Sequence, residues 1–261
     1  MTKEKKRPVA VVTGSAKGIG ASCAEAMARS GLDVVVNYYT SNGPAEETVA
    51  RCQAYGVEAI AVQGDVSDDG ACRDLATAAL SRWGRIDVLV NNAGTTAFAD
   101  ASDLEALSAE DFTRIFAVNV IGAYQMTRAV SDALKRSPQG SVVNISSHSG
   151  FSGIGSSSAY AASKGALNTL TLALACALAP NVRVNAVCPG FVDTDWMSRK
   201  LEGDALAAFK EKVFAVAPLK RLVSTADVAE AVSWFSLGGH SITGQLLVID
   251  AGTHLTVGNP L

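Results

Sequence analysis

The sequence predicts an α/β fold: one doubly wound domain over residues 1–261, with a parallel sheet of seven strands flanked by helices. Three observations support this prediction. Short β-branched runs alternate with longer Ala-rich segments from the first strand to the last. The β-branched runs are apolar at consecutive positions, as strands are when helices cover both faces of a parallel sheet. No linker rich in Pro or Ser interrupts the alternation, and no repeat of fixed period divides the chain.

The strands are assigned to the short apolar runs, and the helices to the segments between them. The predicted strands are Val9–Thr13, Val34–Tyr38, Ala59–Gln63, Val88–Asn91, Val142–Ser146, Arg183–Val187 and Leu246–Ile249. The predicted helices are Gly18–Arg29, Ala45–Ala54, Gly70–Trp83, Ala109–Lys135, Ala159–Leu178 and Thr225–Phe235. Pro180 follows the fifth of these helices and ends it, because proline disrupts a helix interior.

The segment from Phe191 to Leu222 breaks the alternation, because it is helix-prone and charged and lies between two β/α units. An insertion at the carboxyl edge of a parallel sheet is well placed to cover a ligand, so we expect residues 191–222 to form a mobile substrate lid. Its basic residues either suit an acidic carrier or are simply solvated: Arg199, Lys200, Lys210, Lys212, Lys220 and Arg221.

Composition limits the possible functions. The net charge is −3, and the one basic run, Lys3 to Arg7, is typical of a solvated tail, so we expect no nucleic-acid partner. The five cysteines form no C-x-x-C pair, which argues against a metal site and against a disulfide framework. We expect no apolar run to reach the roughly 18–20 residues that a membrane span needs, and we expect a cytoplasmic protein.

A glycine-rich loop joins the first strand to the first helix and reads Thr13-Gly14-Ser15-Ala16-Lys17-Gly18-Ile19-Gly20. Glycine lets the chain turn tightly and lets a pyrophosphate approach the backbone. The helix that follows begins with unpaired N–H groups that favour phosphate. An ordinary tight turn is the alternative. The residues expected to bind a dinucleotide here are Gly14, Ser15, Lys17, Gly18, Ile19 and Gly20.

Two further segments follow strands at the same edge of the sheet. Asp65-Val66 follows the third strand, and Asn91-Asn92-Ala93-Gly94 follows the fourth. Open α/β sheets bind ligands at the carboxyl ends of their strands. We expect Asp65 and Val66 to lie against the adenine, although Asp65 is equally well explained as a helix cap or turn residue. Asn92, Ala93 and Gly94 would let the adenosine and its ribose lie close to the backbone.

The end of the second strand bears on cofactor selectivity. NAD-selective sites place an acidic residue there against the ribose 2′-hydroxyl, whereas this chain has Asn37 followed by Tyr38 and Ser41. Nothing there repels a 2′-phosphate, and Lys17 is positioned to pair with it. The hypothesis is therefore that the cofactor is NADP(H). The alternative for Lys17 is simple solvation.

Tyr160 and Lys164 are four residues apart at the start of a predicted helix, which places them on one face. A free tyrosine has a pKa of about 10. A nearby ammonium favours the phenolate, which would bring that pKa closer to neutrality and suit the phenol to proton transfer. Ser147 ends the fifth strand and can hydrogen-bond a substrate oxygen. Asn119 lies in the long fourth helix and could anchor a water that relays protons through Lys164. A Y-x-x-x-K pair alone is common by chance, but here it accompanies Ser147 and the glycine-rich loop.

With these motifs in place, the chain resembles the short-chain dehydrogenase/reductase superfamily, in its single-domain branch, over residues 8–252. The resemblance implies a Rossmann fold and a catalytic set of Asn119, Ser147, Tyr160 and Lys164. Tyr160 and Lys164 would also contact the cofactor. It further implies a nicotinamide-binding segment that contains Pro189, Gly190, Val192 and Thr194.

The subgroup most similar in its motifs is that of the 3-oxoacyl-[acyl-carrier-protein] reductases. The resemblance implies reduction of a carbonyl to an alcohol with NADPH, with Tyr160 as general acid, and a homotetramer or homodimer. A dehydrogenase of sugars or steroid-like alcohols is the alternative, and a non-enzymatic NADP(H) sensor is a third hypothesis. The candidates for pocket lining, for each of which core packing is an equal explanation, are Phe151, Ile154, Trp196, Met197 and Phe214.

Overall fold

The computed structural model describes residues 6–198 and 200–256. Lys3, Lys5 and the lid residue Arg199 therefore lie outside the described residues. The sheet has seven parallel strands in the order β3-β2-β1-β4-β5-β6-β7, which confirms the predicted fold class. The strands are β1 Val9–Val12, β2 Asp33–Tyr38, β3 Ala59–Gln63, β4 Val88–Asn91, β5 Gly140–Ile145, β6 Val182–Pro189 and β7 Leu246–Ile249.

Ten α-helices connect the strands among the described residues, and the long ones pack on the two faces of the sheet. They are α1 Gly18–Arg29, α2 Asn42–Gln53, α3 Asp69–Trp83, α4 Ala109–Phe116, α5 Ala123–Arg136, α6 Ser149–Ser152, α7 Ser158–Leu178, α8 Asp195–Ser198, α9 Gly203–Val216 and α10 Thr225–Leu237.

Each face of the sheet has its own apolar core. On one face, α1, α2 and α10 contribute residues such as Met27, Val49 and Phe235. On the other face, α3, α5 and α7 contribute residues such as Leu75 and Leu174. All four residues of β1 are fully buried, as expected for a central strand covered on both sides.

The long helix predicted over Ala109–Lys135 is not one regular helix. It consists of α4, a π-helical segment over Ala117–Gly122, and α5. An added Cβ at Gly122 would lie 2.8 Å from Val66 Cγ2, so the π segment passes close to the turn that follows β3. The helical periodicity alone carried no sign of this change, because one glycine within a long helical run does not by itself indicate a π segment.

Residues 191–222 leave the sheet after β6 and contain the short helix α8 and the longer helix α9. A single parallel bridge between Val192 and Val223 closes the base of this insertion. Two contacts hold α9 over the first residues of the insertion: the Phe191 and Phe209 rings lie 5.2 Å apart, and Lys210 pairs with Asp193 at 2.7 Å.

One helix corrects an expectation about apolar segments. By length and composition, α7 is apolar enough to cross a membrane, with a mean hydropathy of 1.2 over its most apolar window. Half of that window is buried inside the protein, where Leu167 and Leu174 pack among the core residues. The helix is apolar because it packs against the sheet, whereas no apolar run of this length was expected from the sequence.

Candidate active site

The glycine-rich loop is shaped by close backbone contacts. Gly14 has a φ of +58°, and an added Cβ there would lie 2.8 Å from Ala93 Cα. An added Cβ at Gly20 would lie 2.4 Å from Asn92 Nδ2. Gly18 also has a positive φ and begins α1, whose first N–H groups face the loop. These positions require glycine and leave the backbone bare where phosphates would bind.

A hydrogen-bonded clamp joins this loop to the turn after β4. The Thr13 hydroxyl accepts hydrogen bonds from the backbone N–H groups of Asn92 and Ala93, at 2.9 and 3.0 Å. The Asn92 side-chain amide donates to the carbonyl oxygens of Thr13 and Gly14. Thr13 is thus a site residue that sequence reasoning had quoted only as part of a motif. Its position directly before the first glycine was the available signal.

Asn37 lies beside the loop, but its side chain is buried and makes hydrogen bonds within the protein. It is 1% exposed, and its Oδ1 accepts from the Gly14 N–H at 3.0 Å. Its Nδ2 donates to the Gly64 carbonyl oxygen at 3.0 Å and also reaches that of Val62. The amide is therefore occupied in holding the loop against β3. The expectation that Asn37 faces the ribose needs correction, since the buried hydrogen bonds claim both ends of the amide.

The other selectivity candidates differ in accessibility. Lys17 is exposed directly before α1 and makes no capping hydrogen bond. Ser41 occupies the position before α2, also without a side-chain cap. Tyr38 is half-buried at the end of β2. Ser15 is fully buried and donates to the Val12 carbonyl oxygen at 2.7 Å, so its hydroxyl supports the loop from inside. Ile19 is partly buried and packs on the core next to the loop.

Asp65 forms a local turn. Its Oδ1 accepts from both the backbone N–H and the hydroxyl of Ser67, at 2.9 and 2.8 Å. Asp68, three residues later, is the residue that caps α3. The turn interpretation of Asp65 is therefore correct. Because a carboxylate has further acceptor sites, this turn leaves it able to accept from a ligand. Val66 beside it is buried.

Tyr160 and Lys164 lie one turn apart on α7, at the carboxyl ends of the central strands. Lys164 is 3% exposed, and its Nζ lies 5.6 Å from the centre of the Tyr160 ring. The same ammonium donates to the Ile145 carbonyl oxygen at 2.8 Å. Ser147, just beyond β5, hydrogen-bonds to the phenol and receives a hydrogen bond from the Ser149 N–H. The structure thus brings together three of the four predicted catalytic side chains.

Burial dominates the proton equilibria of this group. Burial raises the pKa of Tyr160 to about 12, and the hydrogen bond from Ser147 opposes that rise. Burial also lowers the pKa of Lys164 to about 8. The pKa of the phenol therefore lies above its ordinary value and not closer to neutrality as expected, because removal from water outweighs the hydrogen bond from Ser147. The phenol holds its proton at neutral pH, as a proton donor must.

Asn119 is buried in the π segment between α4 and α5, and its amide has partners at both ends. Its Oδ1 accepts from the Thr95 N–H at 2.8 Å, and its Nδ2 donates to the Ser163 hydroxyl at 2.9 Å. Ser163 in turn donates to the Tyr160 carbonyl oxygen at 2.7 Å. The side chain thus ties α7 to the loop after β4, and its expected role as a water anchor stays a prediction. Sequence reasoning missed Ser163, and nothing in its local pattern marks it.

The predicted nicotinamide segment approaches the glycine-rich loop from the other side. The Pro189 carbonyl oxygen accepts from the His148 N–H at 2.8 Å, which fixes the end of β6 beside Ser147. An added Cβ at Gly190 would lie 2.6 Å from Asp250 Cβ, so no larger residue fits there. Val192 forms the bridge at the base of the insertion. Thr194 Cγ2 lies 3.8 Å from an added Cβ at Gly18, so the two segments meet.

These residues fit a nicotinamide dinucleotide. Gly14 and Gly94 leave the backbone without side chains at this edge of the sheet. An added Cβ at Gly94 would lie 3.9 Å from Lys164 Nζ. The strand order reverses between β1 and β4, which opens a crevice at this edge of the sheet. A dinucleotide laid along the crevice would have its pyrophosphate at α1 and its nicotinamide near Tyr160. Over residues 6–198 and 200–256, no group of three or more His, Cys, Asp or Glu side chains is placed to hold a metal ion.

Comparison with known proteins decides the family. The profile of the family described as short chain dehydrogenase matches residues 8–205. The chain belongs to the short-chain dehydrogenase family. This membership makes it an oxidoreductase of a family that uses a nicotinamide cofactor, as the glycine-rich crevice indicates.

Curated relatives of this short-chain dehydrogenase have several activities in their names. It is 42% identical over 254 residues to "Granaticin polyketide synthase putative ketoacyl reductase 2" of Streptomyces violaceoruber, covering 97% of this chain and 99% of that one. It is 36% identical to a 3-oxoacyl-[acyl-carrier-protein] reductase of Synechocystis, covering 94% and 96%. It is 34% identical to 3beta-hydroxysteroid dehydrogenase 1 of Eggerthella lenta, covering 99% and 98%.

Solved structures share the fold closely. A Burkholderia xenovorans protein described as a "putative short-chain dehydrogenase/reductase" has a TM-score of 0.90 at 39% identity, covering 97% of this chain and all of that one. An NAD+-bound xylitol dehydrogenase has a TM-score of 0.85 at 27% identity, covering 95% and 100%. This short-chain dehydrogenase therefore has relatives with ketoacyl, steroid and polyol names on one common fold.

Proposed function

We propose that this short-chain dehydrogenase reduces a carbonyl group to an alcohol with NADPH, in the manner of a 3-oxoacyl-[acyl-carrier-protein] reductase. One observation carries the proposal: the protonated phenol of Tyr160 lies beside Ser147 and the buried ammonium of Lys164. A protonated phenol next to a second hydroxyl is suited to hydrogen-bonding a carbonyl oxygen and then giving it a proton.

Each residue of the proposed site has a separate role in the reaction. The bound cofactor supplies the hydride. The Ser147 hydroxyl orients the substrate oxygen, and the Tyr160 hydroxyl donates the proton that oxygen needs as its negative charge develops. Lys164, anchored on the Ile145 carbonyl oxygen, stabilises the phenolate that remains. Asn119 acts through Ser163 and Thr95 by holding α7 and the loop after β4 in position.

Replacement of the phenol tests the proposed acid. We expect Tyr160→Phe to lower kcat by about 10² to 10⁴-fold, because general acid catalysis contributes that much, while NADPH binding changes little. Steady-state kinetics gives kcat, and fluorescence titration with NADPH gives the binding constant. Ser152→Ala is a matched control, since it removes a hydroxyl near His148 outside the proposed group. A Tyr160→Phe variant as active as the wild type would reject the assignment.

The preference for NADP(H) is part of the proposal and depends on Lys17. The chain has no acidic side chain at Asn37, and the exposed Lys17 ammonium lies at the entrance of the loop. We expect Lys17→Ala to raise KM for NADPH about tenfold, since one charge-assisted contact is lost, and to leave KM for NADH nearly unchanged. Kinetics with both cofactors measures this, and a clear preference of the wild type for NADH would contradict it.

The second candidate is a dehydrogenase of sugars or steroid-like alcohols. The relative named 3beta-hydroxysteroid dehydrogenase 1 and the solved xylitol dehydrogenase favour it. Cofactor consumption with a panel of ketones, oxoacyl thioesters, sugars and steroids distinguishes the two. A non-enzymatic NADP(H) sensor is less favoured, because all four candidate catalytic side chains are present.

We also propose that the enzyme works in the cytoplasm, as a single domain in which residues 191–222 cover the substrate. Its five cysteines are free thiols, which fits a reducing compartment. The contacts of Phe209 and Lys210 with the start of the insertion give the lid a defined position over the segment that contains Pro189 and Thr194.

A further inference from the structure

Trp196 lies against the proposed proton donor. Its ring centre is 6.0 Å from that of Tyr160, and the two planes are tilted by 50°. Trp196 belongs to α8 at the start of the insertion and stays partly exposed. A separation and tilt of this kind is typical of an aromatic pair. Any substrate that presents its carbonyl oxygen to the Tyr160 hydroxyl therefore has the indole beside it.

Large apolar side chains stand exposed on the segments around this pair. These segments follow the carboxyl ends of β5, β6 and β7. The Leu219 N–H donates to the Ala251 carbonyl oxygen at 3.2 Å, and the rings of His148 and His254 lie 6.4 Å apart, so contacts join the three segments. The exposed residues are Phe151, Ile154, Phe214, Val216, Leu219 and Leu255, each between 47% and 69% exposed. Clustered exposed apolar surface indicates a binding site.

Three basic residues of the insertion have partners within the protein. Lys210 pairs with Asp193, Lys220 donates to the Ala215 carbonyl oxygen at 2.7 Å, and Arg221 pairs with Asp227. Lys200 lies over the Phe98 ring and Lys212 is exposed, so an acidic carrier remains the alternative. The large apolar side chains exposed on these segments, together with the Trp196 indole beside Tyr160, suit the entrance to an apolar ligand.

We propose that Trp196 is a specificity-determining residue, which binds ketones that carry a flat apolar ring next to the reacting carbonyl. The proposal rests on the carbonyl reduction proposed above and names its substrate class. The indole would pack on the ring of the substrate, while Tyr160 and Ser147 bind the carbonyl oxygen. A flat ring gains contact area and ring–ring attraction there, whereas a small acyclic ketone reaches the phenol without using the indole.

Two ketones and three variants test the proposal. The ring-bearing substrate is 2-tetralone, and ethyl acetoacetate is the acyclic comparison. The variants are Trp196→Ala, Trp196→Phe and, as a matched control, Trp234→Ala, which truncates a half-exposed indole on α10. We expect Trp196→Ala to lower kcat/KM for 2-tetralone by about tenfold or more, mainly through KM, and to change that for ethyl acetoacetate less than about threefold. Trp196→Phe should recover most of the loss, and Trp234→Ala should affect neither ketone.

Two outcomes would overturn the proposal. An equal loss for both ketones would show that Trp196 only positions Tyr160, and an unchanged kcat/KM for 2-tetralone would show that the indole does not bind the ring. Calorimetric binding of 2-naphthol, with and without NADP+, separates this proposal from the proposed function. If the wild type reduces neither ketone, the proposed reduction fails. In that case weaker 2-naphthol binding by Trp196→Ala would still support the aromatic site, and unchanged binding would refute it.

Discussion

Lys164 is a buried amine whose position costs stability. It is 3% exposed, and burial lowers its pKa from 10.5 to about 8, since an ammonium loses its hydration there. Below a pH of about 8 the amine carries its proton in both the folded and the unfolded chain. Between about 8 and 10.5 the unfolded chain binds more protons, so stability rises with pH through that window. The sign is opposite to that of a lysine stabilised by a carboxylate.

This pH dependence is measurable by comparison with Lys164→Met, which keeps the length of the side chain and removes the titration. We expect the free energy of unfolding of the wild type to gain about 2 kcal/mol on the variant between about pH 7.5 and pH 9.5. Groups that do not contact Lys164 titrate in both proteins and cancel in the difference. Denaturant unfolding of the two cofactor-free proteins gives the result. A difference independent of pH would show that burial does not shift the Lys164 pKa.

Asn37 and Asn119 show what a residue's identity leaves open. Asn37 was expected to contact the cofactor and Asn119 to anchor a water, and both amides hydrogen-bond to segments distant in the chain. The Asn37 partner Gly14 is 23 residues away, and the Asn119 partner Ser163 is 44 residues away. An asparagine amide can donate hydrogen bonds to a ligand or to the protein, and it can accept them from either. Only its neighbours in space therefore decide its role.

At the scale of elements, the glycine-rich loop and the turn after β4 form one unit. Gly20 lies inside α1, where an added Cβ would lie 2.4 Å from Asn92 Nδ2 and 2.5 Å from the Gly14 carbonyl oxygen. A side chain there displaces the Asn92 amide that holds the loop. The need for glycine at this position therefore comes from packing between two elements, as well as from the approach of phosphate.

Gly20→Ala tests this coupling. We expect it to destabilise the protein by about 1–3 kcal/mol through overpacking and to weaken NADPH binding. Gly43→Ala is the matched control, because α2 offers its Cβ open space and alanine is the better helix former. Thermal unfolding and NADPH titration of both variants give the comparison. Equal behaviour of the two would show that the clamp between the loop and the turn contributes nothing.

At the scale of the whole molecule, α4, the π segment and α5 expose an apolar surface. Phe112, Ile121 and Tyr124 are between 39% and 50% exposed along this helical stretch. The family resemblance implies a homotetramer or homodimer, and members commonly build their two-fold interfaces partly from the long helix predicted over Ala109–Lys135, which contains this surface. We propose that the protein forms a homotetramer through it, since burial of such side chains favours association.

Ile121→Asp tests the assembly. A carboxylate at the centre of this surface should reduce the assembly to about half its mass at micromolar concentration, because an unpaired charge is costly to bury. Tyr55→Asp is the control, since Tyr55 is 47% exposed on the turn after α2. Sedimentation velocity measures both variants and the wild type. A monomeric wild type would contradict the proposed tetramer.

The sequence by itself determined the fold class and the positions of the glycine-rich loop, Tyr160, Lys164 and Ser147. It could do so because these features depend on local restrictions: the apolar period of buried strands, the steric need for glycine, and the spacing of one helical turn. Strand boundaries differ from the prediction by no more than two residues at either end. The added first residues of β5 and β6 pair with each other, and the added last residues of β6, Cys188 and Pro189, pair with β7; a single strand does not reveal such pairing.

Only the tertiary structure decided the partners of Asn37 and Asn119, the π segment, the raised pKa of Tyr160 and the ion pair between Lys210 and Asp193. Each depends on groups brought together from distant parts of the chain. The energy of a polar or ionisable side chain is set by how much water it loses and which partners replace that water. Folding sets both quantities, so a list of residues in chain order contains neither.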